Sequence, residues 1–165
     1  MSFELALSEC WVTQDSTIPY FKGYSSTHVP FVSGKAGGLV IFYKSGLIVK
    51  RLNFENIFPD SQLEVLAVDI KNLFTKLILC YRHPKGKINA FLNHLENLLE
   101  SKILNNNLND IVICGDFNIN TLESSPTADS YLSLLKSFGY RNLVTEATRE
   151  TASSQTCIDH AFAKL

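Results

Sequence analysis

Paired cysteines are missing from this chain. Cys10, Cys80, Cys114 and Cys157 form no CxxC, and each lies in or beside an apolar run. They read as reduced core thiols, which excludes a disulfide framework and a zinc site. Charge of one sign is missing too: the formal net charge is −1, so any contact with a phosphate backbone has to be local rather than long-range. The best local group is "YRHPKGK", with Arg82, Lys85 and Lys87 in one short segment. No apolar run approaches the roughly 18 residues of a membrane span, and no cationic, apolar leader opens the chain. An intracellular location, nuclear or cytoplasmic and without a membrane partner, is therefore expected. Repeats, linkers and low-complexity tracts are also absent, and the 165 residues, 45% apolar and 19% charged, suit one globular domain over residues 1–165 with a sizeable core.

"FELALSECW" begins with alternating Phe3, Leu5 and Leu7, a strand signal that runs into Ser8 and Glu9. Residues 12–35, with Pro19, Pro30 and many Ser and Thr, have little periodicity and read as a long loop, often a functional element. "LVIFY", the turn-like "KSG" and "LIVKRL" together suggest a β-hairpin. "LEVLAVDI", "KLILCY" and "IVIC" are further strand candidates, the last continuous enough to be covered on both faces. From Lys87 to Ile103 the period changes to three and four, through Ile88, Phe91, Leu92, Leu95, Leu98 and Leu99, which marks an amphipathic helix ended by "NNNLND". A second helix is expected over residues 128–138, with Gly139 as its stop, and "TCIDHAFA" supplies the last strand. Strands outnumber helices, which favours packed sheets flanked by helices over a doubly wound parallel sheet.

The stretch "DIVICGDFNIN" ends a buried strand with Asp116 and Asn118 two positions apart. On an extended chain the two side chains share a face while Phe117 turns back to the core, and Gly115 permits close approach of a backbone or ligand. A carboxylate can take a proton from water or bind a hard cation, and an amide can meet a phosphate oxygen. Taken alone this DxN is weak, because both residue types also favour turns. Glu9, Tyr81 and Asp159 lie at or in other apolar strands; buried ionisable groups are costly unless paired or metal-bound, so several together suggest a shared site.

Taken in order, "SECW", "GGLVIFYK", "LEVLAVDI" with "YRHP", "GDFNIN" and "GYRNLVTEATRETASSQTCIDHAF" cover nearly the whole chain. As a set they resemble the endonuclease/exonuclease/phosphatase superfamily with the DNase I-like fold, and within it the apurinic-type endonuclease domains of non-LTR, LINE-like retrotransposons. The resemblance implies an α/β (α+β) fold, a four-layer α/β/β/α sandwich of two packed mixed sheets. It implies Glu9 as a ligand of Mg²⁺, with Mn²⁺ as the alternative, and Asp116 as the group that orients or deprotonates the attacking water. Asn118 and Tyr81 would hold the phosphate, and Asp159 would steady a catalytic histidine. Arg82, Lys85 and Arg149 become candidate DNA contacts, Arg149 together with Thr148 in a "TR" segment. The implied partners are DNA and the reverse transcriptase domain of a parent retroelement polyprotein.

Two departures from the family pattern stand out. Eight residues precede Glu9 and none is Asn, where relatives carry an active-site asparagine, and the chain stops before a terminal Ser-Asp-His strand. Strands are thus expected to be missing at both termini, with weak or no turnover and poor solubility. His160 does not replace the lost histidine, since neighbours on a strand face opposite ways and Asp159 takes the site side. His28, His83 and His94 read as solvated or structural, with a place beside the phosphate as the alternative for His83. Two other readings stay open: a catalytically dead relic that still binds phosphate and metal, and another phosphoesterase of the superfamily acting on inositol phosphates, sphingomyelin or a protein–nucleotide adduct.

Overall fold

The computed structural model describes residues 5–31, 37–54, 63–104 and 109–165. Phe3 and residues 105–108 of the expected helix stop lie outside them. Eleven strands are described, β1 (Leu5–Leu7), β2 (Tyr24–Val29), β3 (Leu39–Lys44), β4 (Val49–Leu52), β5 (Leu63–Ile70), β6 (Thr75–Arg82), β7 (Asp110–Asp116), β8 (Arg141–Asn142), β9 (Arg149–Glu150), β10 (Gln155–Thr156) and β11 (Asp159–Lys164), with helices α1 (Ile88–Glu100) and α2 (Pro126–Ser137). A mixed six-stranded sheet has the order β4-β5-β6-β7-β11-β8, an antiparallel three-stranded sheet the order β1-β3-β2, and β9 and β10 form a short ribbon.

Period-two alternation gives the large sheet two different apolar faces. Residues Ala67, Ile78, Cys80, Ile111, Ile113 and Phe162 point one way, onto Phe91, Leu95, Leu98 and Leu99 of α1 and Ala128, Tyr131 and Leu135 of α2. Leu66, Val68, Ile70, Leu79 and Tyr81 point the other way, onto Leu39 and Ile41 of β3. The chain is therefore a mixed α/β fold of two packed sheets with two helices, in the DNase I-like manner. Among the described residues the outer face of the small sheet is covered by Val12 with Cys10, Ile18 and Tyr24 rather than by a helix.

Both helices form where their patterns place them. Pro126 opens α2 at a position whose N–H would have no helical partner, and Ser125 caps it by accepting the Ala128 N–H at 3.1 Å. Gly139, at φ 85°, turns the chain out of the helix. At the far end of α1, Lys76 donates to the carbonyls of Ile103 and Leu104 at 2.6 and 3.4 Å, meeting acceptors near the helix end that would otherwise be left bare.

Two expectations are corrected. Residues 12–35 are not all loop, since they contain β2, which pairs with β3 from Tyr24↔Lys44 to Val29↔Leu39. "LVIFY" and "LIVKRL" are not a hairpin, since β3 belongs to the small sheet while β4 pairs with β5 in the large one. The turn at residues 45–48 carries the chain from one sheet to the other.

Candidate functional site

Four neighbouring strands of the large sheet end with one polar row. Glu64 of β5 lies opposite Tyr81 of β6, Tyr81 opposite Asp116 of β7, and Asp116 opposite Asp159 of β11. Directly opposed residues share a face, and this face is the one turned to the small sheet. Glu9, four positions past the start of β1, reaches the row from that sheet: its Oε1 accepts the Tyr81 hydroxyl at 2.6 Å. Tyr81 is fully buried, and burial, then donation to Glu9, pushes its hydroxyl pKa up.

Asp116 is 5% exposed. Its pKa is raised to about 6: burial is the main cause, the Asn118 N–H works against it, the charges of Asp159 and Glu9 add to the rise, and the Arg149 charge lowers it. The strand ends here, and Asp116 and Asn118 meet through a turn instead of along an extended chain: the Asn118 backbone N–H donates to Asp116 Oδ1 at 3.0 Å, and Asn118 adopts φ 51°. Glu9, at φ 52°, is likewise left-handed, and non-glycine residues in that region are uncommon and gather at functional sites. Phe117 is fully buried, as expected. The close approach that Gly115 allows is to the backbone, because a Cβ there would meet the Cys80 carbonyl oxygen.

Arg82 turns inward. Expected as a DNA contact, it is 6% exposed and lies on the helix side of the sheet, its guanidinium 5.5 Å from the Phe91 ring centroid. It donates to the carbonyls of Phe117 and Asn118 at 3.3 and 3.2 Å and of Gly86 at 3.2 Å. The Asn118 amide nitrogen in return donates to the Arg82 carbonyl at 2.9 Å. Arg82 thus clamps the turn that presents Asn118. Lys85 is exposed in the turn after β6, and Arg149 is exposed in β9.

Asp159 is exposed, and its N–H donates to Thr148 Oγ1 at 3.1 Å, as does that of Ile158. His160 faces the helices. Its Nδ1 meets the Tyr131 hydroxyl at 3.1 Å, its Nε2 meets Thr121 Oγ1 at 3.2 Å and the Cys157 carbonyl at 3.1 Å, and burial lowers its pKa. His83 stands edge-on to the Tyr81 ring at 5.4 Å between centroids. Glu64, which sequence reasoning passed over, is half-buried in the row. Its only sequence signal is a carboxylate inside the otherwise apolar opening of "LEVLAVDI".

Among the described residues no three His, Cys, Asp or Glu side chains form a metal cage. Mg²⁺ does not require one, since it is usually held by one or two carboxylates with water and substrate oxygens. Glu9 gives one carboxylate oxygen to the Tyr81 hydroxyl, and a carboxylate oxygen is the hard type of donor that such an ion takes.

The Endonuclease/Exonuclease/phosphatase family matches residues 5–165. No curated protein matches the chain. The endonuclease domain of TRAS1, a telomere-specific non-LTR retrotransposon, is similar at TM-score 0.61 and 15% identity, over 86% of this chain and 67% of that one. An AP endonuclease from Archaeoglobus fulgidus is similar at TM-score 0.65 and 16% identity, and the 3'-5' exonuclease NExo from Neisseria meningitidis at 0.64 and 16%, each over 97% of this chain and 75% of the other. At such identities the solved structures speak for the fold. Combined with the match along nearly all of its length, they make this chain a member of the Endonuclease/Exonuclease/phosphatase family, a superfamily of hydrolases and nucleases.

Proposed function

We propose that the chain is a Mg²⁺-dependent phosphodiesterase domain that nicks DNA, of the kind found in non-LTR retrotransposons. The observation that carries this reading is the row Tyr81–Asp116–Asp159 in register across three strands, joined by Glu9 through the Tyr81 hydroxyl. In this reading Asp116 orients the attacking water and takes its proton, a role suited to a carboxyl whose pKa is about 6. The water oxygen bonds to phosphorus, the bond to the leaving oxygen breaks, and the leaving group collects a proton from solvent. Asn118 and Tyr81 hold the phosphate, and Glu9 is the residue that would hold the ion. When bound, Mg²⁺, or Mn²⁺ in its place, would supply charge neutralisation for the phosphate being cleaved. Lys85 and Arg149 are the candidate DNA contacts that face solvent.

His160, held among the helices by Tyr131, Thr121 and the Cys157 carbonyl, is not the histidine that Asp159 would steady. The retroelement branch is supported by the "TRETASSQTCIDHAF" segment, and a reverse transcriptase partner belongs to that branch. Incubation with supercoiled plasmid and Mg²⁺ tests the proposal. Slow conversion to open circles is expected, at least about a hundredfold slower in Asp116→Ala. Equal cleavage by both proteins would mean the activity is not that of this site, and no cleavage by wild type would leave the relic reading.

A further inference from the structure

We infer that Glu64 is a positioning residue that sets the place of Glu9 across the gap between the two sheets. The inference rests on the reading of Glu9 as part of the nuclease site. Glu64 Oε2 accepts the Gly38 N–H at 2.8 Å, and its carboxylate lies so close to Gly37 that a Cβ on that residue would meet it. Both glycines have positive φ, 148° and 85°, a conformation other residues adopt only with strain. Their carbonyls hold the segment carrying Glu9: the Cys10 N–H donates to Gly38 O at 3.0 Å and the Trp11 N–H to Gly37 O at 2.9 Å.

Glu9 then reaches back to Tyr81, and Tyr81 is the cross-strand neighbour of Glu64. The contacts close a circuit, Glu64 to Gly38, to Cys10, to Glu9, to Tyr81 and back to Glu64, with one half on each sheet. Glu9 and Trp11 are both left-handed, so this segment follows no ladder of its own, and the glycine pair is its template. A half-buried carboxylate that touches the template, one strand from Tyr81, fixes both ends of the Glu9 side chain's reach.

The test uses the whole chain and two readouts, plasmid nicking with kcat and KM separated and the anisotropy decay of Trp11, the only tryptophan. Glu64→Ala is expected to lower kcat about tenfold with KM within about twofold and to increase the fast motion of Trp11, because the loss is of positioning and not of DNA binding. Glu64→Gln, which keeps an oxygen for the Gly38 N–H, is expected to restore at least half of kcat and the wild-type decay. If Glu64→Ala does not fold, Gly37→Ala presses on the same contact from the other side and is expected to loosen Trp11 with Glu64 intact. An unchanged Trp11 decay in the folded variant, Glu64→Ala or Gly37→Ala, overturns the inference, as does a Gln variant as impaired as Ala. Absence of nicking in wild type would remove the proposed function while the Trp11 arm still decides this one.

Discussion

At the scale of single residues, the role proposed for Asp116 sets function against stability. Its pKa stands near 6 in the fold, above the ordinary 3.8, so between about pH 4 and pH 6 the folded chain holds a proton that the unfolded chain has lost. Stability therefore falls as pH rises through that window, and the penalty is complete above the folded value. Asp116→Asn removes the charge and keeps an oxygen for the Asn118 N–H. It is expected to abolish nicking yet raise stability by ~1–3 kcal/mol at pH 8, with little change at pH 4, as urea denaturation at the two pH values will show. Wild-type nicking should climb through about pH 6 and then level, because in the proposed mechanism the ionised carboxylate takes the proton from water.

The elements show which parts of the fold local pattern could carry. Strands β5, β6 and β7 were legible as apolar runs, and both helices because each buries an apolar face at helical period. Strand β2 was not, because "YSSTHV" has few apolar residues and sits at the edge of the small sheet, half-covered. The apparent hairpin failed for another reason: "KSG" signals a turn, but which sheet each flanking strand joins depends on distant partners. Likewise the pairing of Asp116 with Tyr81 and Asp159 comes from strand register, and the site could be assembled from sequence only through resemblance to a family. The inward path of Arg82 was hidden, since a cation after a strand looks solvated until the turn at Phe117 and Asn118 is known. Gly115 joins the two strands in the middle of the row so closely that its hydrogen is required. Gly115→Ala should destabilise the protein by at least ~3 kcal/mol through collision with Cys80 O and the loss of φ 144°, a change measurable as a shift of the urea midpoint.

For the molecule as a whole, near-neutral charge limits how DNA can be held. With Arg82 turned inward, Lys85 and Arg149 are the cations assigned to the DNA side, and each phosphate contact contributes about −0.9 to the slope of log K against log salt. A slope near −2 is expected from filter binding or fluorescence titration of duplex DNA, and one steeper than about −4 would reveal a basic surface elsewhere on the protein. Strand β6 runs through the middle of this arrangement, and its last two residues work back to back: Tyr81 braces Glu9 in front, while Arg82 grips the Asn118 turn behind. Their division of labour depends on nothing but parity. Removing or adding one residue along the strand would exchange phenol and guanidinium between front and back, whereas replacing an aliphatic side chain by another would not. Length in β6 is thus held more tightly than composition, and natural variation there should take the form of swaps and not of gaps.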